Sequence, residues 1–173
     1  HREIEVVTYC AGGEFRHADQ RGVGGILKKG WVQHTTVGTG MFHSEINNRP
    51  DEPMRFIQMW FLPAHHGLEP SVEQKAVERP ERTNRLVHLV SPERDDALPI
   101  QAPAQVWSSF LEEGHSLEHR VFARACRHED AGGICPGAVS RLAHGIEDRD
   151  VVERLAALAR CHAGHHVGAV LDH

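Results

Sequence analysis

Short apolar runs separated by glycine-rich turns dominate the first 62 residues. The runs are rich in β-branched and aromatic residues, which favour strands over helices. They occupy residues 4–9, 25–27, 31–36 and 56–62. Turn sequences recur between them at intervals typical of all-β sandwiches and barrels. The pattern therefore predicts a β-barrel for this part of the chain.

The remainder of the chain divides by composition. Residues 63–96 are rich in proline and charge, apart from the apolar run 86–90, which predicts a solvated connector. Residues 97–125 return to a strand-like pattern and predict a second β unit. We therefore expect two domains, an N-terminal barrel with its connector over residues 1–90 and a C-terminal barrel over residues 91–173. In the tail, residues 150–160 have apolar side chains at helical spacing, so the local pattern indicates a helix there.

Charge and composition narrow the function classes. The 173-residue chain has a net charge of -5 and a sequence pI near 6.3, with no long basic run, so we expect no direct nucleic-acid binding. Its apolar runs are too short to cross a bilayer and no secretory leader is evident, so we expect a cytoplasmic protein without membrane contact. The four cysteines lack CxxC spacing, which argues against a zinc ribbon or a thioredoxin motif.

The candidate chemistry lies in the segment 36–45, which ends in His43-Ser44-Glu45. Residues two apart in a strand point the same way, so His43 and Glu45 present an imidazole and a carboxylate to one side. His1 opens another strand-like run and is a candidate third ligand. Two histidines and a carboxylate are the minimal set for a non-haem iron or similar divalent site with open positions. The alternative is a pair of surface strand residues that binds no metal. The chain contains fifteen histidines, so histidine content alone does not indicate a metal site.

Several runs carry a resemblance to a known family. They include HREIEVVTY at residues 1–9, GEFRH at 13–17, GTGMFHSE at 38–45, QMW at 58–60 and DALPI at 96–100. Through these runs, residues 1 to about 120 resemble the pirin family. The resemblance implies a bicupin, that is, two antiparallel β-barrels of jelly-roll type with a metal only in the N-terminal one. It also favours short strands in the tail, among them residues 167–171, over the locally indicated helix.

The resemblance implies a ligand set as well. Pirin-like proteins hold a divalent metal with an HxH and an HxE motif; here HxE is His43 and Glu45, and His1 aligns with the second histidine of HxH. The first would lie two residues before His1, so we expect the chain to be a fragment. The expected cofactor is one divalent metal, Fe(II) first, with Mn, Ni, Cu or Zn as alternatives.

Three further residues are predicted near this site. Glu5 follows His1 at general cupin spacing for a glutamate ligand, and strand parity places it on the His1 side. Because the resemblance assigns the carboxylate ligand to Glu45, we expect Glu5 to accept a hydrogen bond and orient a ligand. His34 and Phe42 are candidates for the substrate pocket. The alternatives are a solvated strand histidine for His34 and core packing for Phe42, together with Met41.

The resemblance implies quercetin 2,3-dioxygenase activity toward a flavonol, with Glu45 as a metal ligand and as the acceptor of the substrate hydroxyl proton. A second hypothesis is an iron-dependent regulatory protein that contacts transcription factors or metabolic enzymes without turnover. A metal-free cupin is a third. The partner is thus a small aromatic substrate or a protein, and we expect a monomer.

Overall fold

The computed structural model describes residues 1–120, 139–143, 153–160 and 166–172, with side chains through residue 118. These parts of the chain form fourteen strands and one helical turn, α1 (Arg79–Arg82), which confirms the predicted all-β class. The strands are β1 Glu5–Gly12, β2 Glu14–Asp19, β3 Gly24–Lys28, β4 Val32–Thr36, β5 His43–Asn47, β6 Arg55–Phe61, β7 Ser71–Lys75, β8 Val87–Ser91, β9 Leu98–Pro99, β10 Ala104–Phe110, β11 Ser116–Arg120, β12 Val139–Ala143, β13 Glu153–Arg160 and β14 His166–Asp172.

Two antiparallel sheets form the N-terminal unit, in the strand orders β6-β1-β4-β7 and β3-β2-β5. A glycine turn expected from the sequence closes the β2–β3 hairpin. Gly22 has φ of +76° in this turn, a conformation that residues with a Cβ rarely adopt. The N-terminal unit also includes β7, which lies in the segment predicted to be a connector and therefore extends the barrel predicted for residues 1–62.

Alternate residues of β1 serve two different cores. Val6 packs with Val37 and Met41, and Cys10 packs with Phe15 and Leu27 of the facing sheet, so the even-numbered side chains point into the N-terminal unit. The odd-numbered side chains point to the opposite face. Val7 and Tyr9 belong to a larger cluster with residues from the second half of the chain, namely Leu89, Val90, Leu98, Ile100, Ala102, Ala104 and Val106. Burial of this shared apolar surface holds the two halves together.

A five-stranded sheet, β14-β13-β10-β8-β9, forms most of the second half. Residues 153–160 are strand β13, so the helix indicated by their local spacing does not form, and the short strand expected at residues 167–171 lies within β14. Strand β13 pairs along its whole length with β10 on one side and β14 on the other. Ladder hydrogen bonds on both edges outweigh a local helical preference that amounts to less than about 1 kcal/mol per residue.

The predicted domain division at residue 90 remains a prediction. Strand β8 spans that position and pairs with β10 in the second sheet, whereas β7 pairs with β4 in the first. Sheet membership therefore changes between Lys75 and Val87. In the described part of the chain, none of the helical structure has the length and apolar character that crossing a membrane requires.

Candidate metal centre

His43 and Glu45 lie on β5 with their side chains on the same face, as strand parity predicts. The Nδ1 atom of His43 is 3.4 Å from Oε1 of Glu45, and both side chains are about one-fifth exposed, at 21% and 23%. The pair therefore sits at the edge of the barrel interior, where a ligand can reach it from solvent.

A third donor, His17, comes from the neighbouring strand β2. The β2–β5 register places His17 opposite Glu45 and Asp19 opposite His43. The Nε2 atom of His17 lies 3.0 Å from Nδ1 of His43. One donor atom from each of His17, His43 and Glu45 falls within 4.8 Å of the others, and among the described residues this is the group that meets that spacing.

The spacing of these atoms fits a divalent metal. Ligand nitrogens and oxygens lie about 2.0–2.2 Å from such an ion, so two ligands at right angles are about 3 Å apart. The separations of 3.0 Å and 3.4 Å across His43 are close to that value. Two imidazoles and one carboxylate are also the donor set of non-haem sites that keep open positions. The residues present therefore fit the ion that the sequence predicts.

Burial keeps His17 in the form that binds metal. The side chain is buried, and this burial lowers the pKa of His17 from 6.5; the neighbouring His43 lowers it further, against the opposing effects of Glu45 and Asp19. Its Nδ1 atom is buried without a hydrogen-bond partner among the described residues. A neutral imidazole is the ligating form, so the barrel holds His17 ready for metal binding near neutral pH.

Asp19 fixes the turn that follows His17. Burial raises the pKa of Asp19, but hydrogen bonds from the backbone N–H groups of Val23 and Arg21 and from the Arg21 side chain lower it, and the net shift is downward. Oδ1 accepts the two backbone bonds at 2.7 Å and 2.8 Å. The ionised carboxylate thus orders the β2–β3 turn beside the site.

Gln58 links Glu45 to the opposite sheet. Its Nε2 atom donates to Oε1 of Glu45 at 2.5 Å and lies 3.3 Å from Oγ1 of Thr8. Thr8 and Gln58 are paired in the β1–β6 ladder, on the face of β1 that points into the unit. The carboxylate of the candidate site is therefore held by an amide from β6.

His1 lies beside His17, His43 and Glu45, but it is not one of the residues whose donor atoms lie within 4.8 Å of one another. Its exposed ring is 5.5 Å from the His43 ring and 4.9 Å from the Trp60 ring, measured between centroids, with edge contacts in both cases. The His1 backbone is fixed by hydrogen bonds with the backbone of Met41, two residues before β5. Its assignment as a ligand remains a prediction.

The structure places Glu5 away from the site, contrary to the parity argument. Its fully buried carboxylate accepts hydrogen bonds from the backbone N–H groups of Gln101 and Ala102, at 2.9 Å and 2.6 Å, and lies 3.1 Å from Nε2 of His34. Parity failed because β1 begins only at Glu5, and Glu3 has φ of +54°, so the chain from His1 is not one continuous strand.

The two pocket candidates also differ in position. His34 is buried beside Glu5 on the face toward the second half, so it is neither a solvated strand residue nor a neighbour of His43. Phe42 directly precedes His43 and is 83% exposed, which overturns the core-packing alternative, whereas Met41 is buried. Of these two, Phe42 is the one next to His43 in sequence, and its side chain is open to solvent.

His17 was not among the predicted site residues, although the alternation along β2 points to it. Phe15, His17 and Asp19 alternate along β2 as buried positions, with Arg16 exposed between them. A histidine at an inward position of a strand is a ligand candidate. What the sequence lacks is the β2–β5 register that brings His17 to His43. The tract Cys161-His162 to His165-His166, interpreted as a polar tail, lies almost wholly outside the described residues.

Comparison with known proteins places this geometry in a family context. Residues 1–61 match the family model described as Pirin. A protein from Caulobacter vibrioides named "Pirin-like protein" is 35% identical over 123 residues, covering 70% of this chain and 53% of that protein. A protein from Escherichia coli strain K12 named "Quercetin 2,3-dioxygenase" is 27% identical over 124 residues, covering 71% and 52%.

Solved structures of bacterial proteins also match the fold of this chain. Two crystal structures of YhhW from Escherichia coli match with TM-scores of 0.64 and 0.60, at 27% and 28% identity, and each match covers 71% of this chain and 52% of that one. The second is described as a bacterial pirin in complex with nickel(II). The chain spans about half the length of the relatives it matches.

Proposed function

Since the chain belongs to the pirin family of cupin proteins, we propose that its N-terminal barrel is a divalent metal centre with flavonol dioxygenase activity of the quercetin 2,3-dioxygenase type. The observation that carries the proposal is the convergence of His17, His43 and Glu45 from two paired strands. The nickel(II) in the YhhW structure and the quercetin dioxygenase name of a relative support it.

His43 and Glu45 are the donors on which sequence and geometry agree. Distance favours His17 as the third donor, and the family motif favours His1, whose ring centroid lies 5.5 Å from that of His43. A divalent metal bound by these residues supplies a Lewis-acid centre with open positions, at which a substrate oxygen and molecular oxygen can be brought together. We keep iron as the expected metal, with nickel among the alternatives.

The residues around the centre have defined tasks in this proposal. Glu45, partly exposed and next to the open face, accepts the proton of the substrate hydroxyl group. Trp60, 58% exposed with its ring centroid 4.9 Å from that of His1, offers an aromatic face to a flat substrate. Together these side chains account for recognition of a planar aromatic hydroxy compound.

The test is oxygen uptake with quercetin by protein loaded separately with Fe(II) or Ni(II). We expect turnover in the parent and a loss of at least about a hundredfold in Glu45→Ala and His43→Ala. Glu52→Ala is the matched control, because Glu52 is an exposed carboxylate of the same unit outside the site, and it should retain parental turnover. Unchanged oxygen uptake in Glu45→Ala would overturn the dioxygenase proposal.

Exposed apolar side chains favour a second candidate, the regulatory binding protein. Phe42, Ile46, Trp60 and Leu62 are all at least half exposed; Phe42 and Ile46 adjoin His43 and Glu45 in sequence, and Trp60 and Leu62 lie at the end of β6. Exposed apolar side chains of this kind fit a protein partner. Partner affinity that changes with iron oxidation state, in protein without quercetin turnover, selects this function over the enzymatic one.

A further inference from the structure

The link between Gln58 and Glu45 joins two sheets at the candidate metal centre. Gln58 is on β6, an edge strand of one sheet, and Glu45 is on β5, an edge strand of the other. No backbone ladder pairs β5 with β6 in the described part of the chain, since β5 pairs with β2 and β6 with β1. The 2.5 Å bond from Nε2 of Gln58 to Oε1 of Glu45 is thus a side-chain bridge across the open edge of the barrel.

This bridge restrains the carboxylate of Glu45. A partly exposed glutamate has several rotatable bonds, and holding it in one orientation costs side-chain entropy. Gln58 limits the orientations that are available, and Thr8 in turn fixes the Gln58 amide through the 3.3 Å contact at Oγ1. The restraint is present before any metal binds, so part of the entropy cost has already been met.

The amide group suits this task better than a cation would. A lysine at this position would neutralise the carboxylate and compete with the metal for it, whereas a neutral amide donor leaves its charge intact. A carboxylate has about four lone-pair sites, so Oε1 can accept the bond from Gln58 while the group still binds a metal. Partners that orient metal ligands in this way typically contribute 10–100-fold in metal affinity.

We propose that Gln58 is a positioning residue of the metal centre, which pre-orients the Glu45 carboxylate through its amide and raises the affinity for a divalent metal. The inference rests on the proposed metal-binding function and adds a residue that acts only through Glu45. Gln58 does not contact the metal in this proposal. Its effect therefore depends on the presence of Glu45, which an affinity measurement can detect.

The experiment is calorimetric titration of the metal-free protein with Ni²⁺, supported by the visible absorption of the Co²⁺ form. We expect Gln58→Met, which keeps the approximate side-chain volume without a donor, to bind Ni²⁺ 10–100-fold more weakly than the parent and to change the Co²⁺ spectrum. Gln74→Met is the matched control. Gln74 is likewise half-buried on a strand of the same unit and donates from Nε2 to a side chain, Oε1 of Gln33, at 3.0 Å.

A double-mutant cycle separates positioning from general stabilisation. In a Glu45→Ala background, Gln58→Met should have no further effect on Ni²⁺ affinity, whereas a residue that merely stabilises the barrel would produce the same loss in both backgrounds. Thr8→Val is the second variant if Gln58→Met folds poorly, and it should weaken Ni²⁺ binding by a smaller factor. An affinity within twofold of the parent in Gln58→Met, or in Thr8→Val where that replaces it, would overturn the proposal.

Failure of the underlying function has a different outcome. If the parent does not bind Ni²⁺, or if Glu45→Ala leaves the affinity unchanged, the metal centre itself is wrong and the positioning role falls with it. If the parent binds Ni²⁺ through Glu45 while Gln58→Met matches Gln74→Met, only the positioning role is wrong. The spectrum and the affinity are both measured without turnover, so neither depends on the dioxygenase reaction.

Discussion

The backbone N–H of Ala102 donates a 2.6 Å hydrogen bond to Oε2 of Glu5, a residue 97 positions earlier in the chain. Gln101 and His34 complete the environment of that carboxylate. A buried carboxylate is costly unless it is well hydrogen-bonded, and here the second half of the chain supplies two of its partners. Glu5 therefore lies at the junction between the halves of the molecule and not beside the candidate metal site.

We predict that Glu5→Ala lowers the free energy of unfolding by about 3–5 kcal/mol, because it leaves two backbone donors and the His34 imidazole without their acceptor. Glu5→Gln should cost less, about 1–2 kcal/mol, since it keeps the shape and one acceptor oxygen. Urea denaturation measures both values. Ni²⁺ affinity should stay within twofold of the parent in Glu5→Gln, and a loss of tenfold or more would restore the predicted role beside the metal.

The third ligand is identified by comparing two histidines. We expect His17→Ala to weaken Ni²⁺ binding by at least about a hundredfold, because its Nε2 atom completes the group around His43. His1→Ala should have a smaller effect, since its ring lies farther from His43. His65→Ala, an exposed histidine of the same half, serves as the control in calorimetric titration. The reverse order of effects would assign the third position to His1.

Metal release on acidification is the next prediction. Ligation requires neutral imidazoles, so protons compete with the metal as the pH falls, and we expect release below about pH 6. Equilibrium dialysis against Ni²⁺ at a series of pH values measures the midpoint. Metal retained at about pH 4 would contradict imidazole ligation.

The metal-free protein should also lose stability on acidification. The pKa of His17 is lowered from 6.5 in the folded chain, by burial first and then by His43. Below pH 6.5 the unfolded chain takes up a proton that the folded chain does not bind until its lower pKa is reached, so the free energy of unfolding falls over that interval. In His17→Leu this contribution disappears. Denaturation of parent and variant at pH 7.5 and 5.5 gives the comparison, and an equal pH dependence would contradict it.

Gly38, five residues before His43, adopts a backbone conformation that residues with a side chain rarely take. Its φ is +52°, and a Cβ atom would overlap the carbonyl oxygen of Leu68. We predict that Gly38→Ala costs about 2–4 kcal/mol in unfolding free energy, from backbone strain and overlap together. Gly22 is the matched control, with φ of +76° but open space around its Cβ position, so Gly22→Ala should cost only about 1 kcal/mol. Equal costs in denaturation experiments would show that the overlap relaxes.

Much of the candidate site could be predicted from local sequence. His43 and Glu45 are two residues apart within one short strand, so their shared face follows from strand geometry alone. Their neighbour His17 could be recognised as an inward-facing residue from the alternation along β2, but not as a partner of His43. Glu5 shows the limit of the same rule, because the residues between it and His1 do not form one strand.

The sequence by itself determined the all-β class, the turns and the HxE pair, because these depend on residue type and on spacing over a few positions. Only the tertiary structure decided which strands pair, and so which side chains meet. It brought His17 to His43 through the β2–β5 register, turned Glu5 toward Ala102, and made a strand of residues 153–160 by pairing them on both edges. Register and long-range pairing depend on burial summed over the whole fold, which no local pattern contains.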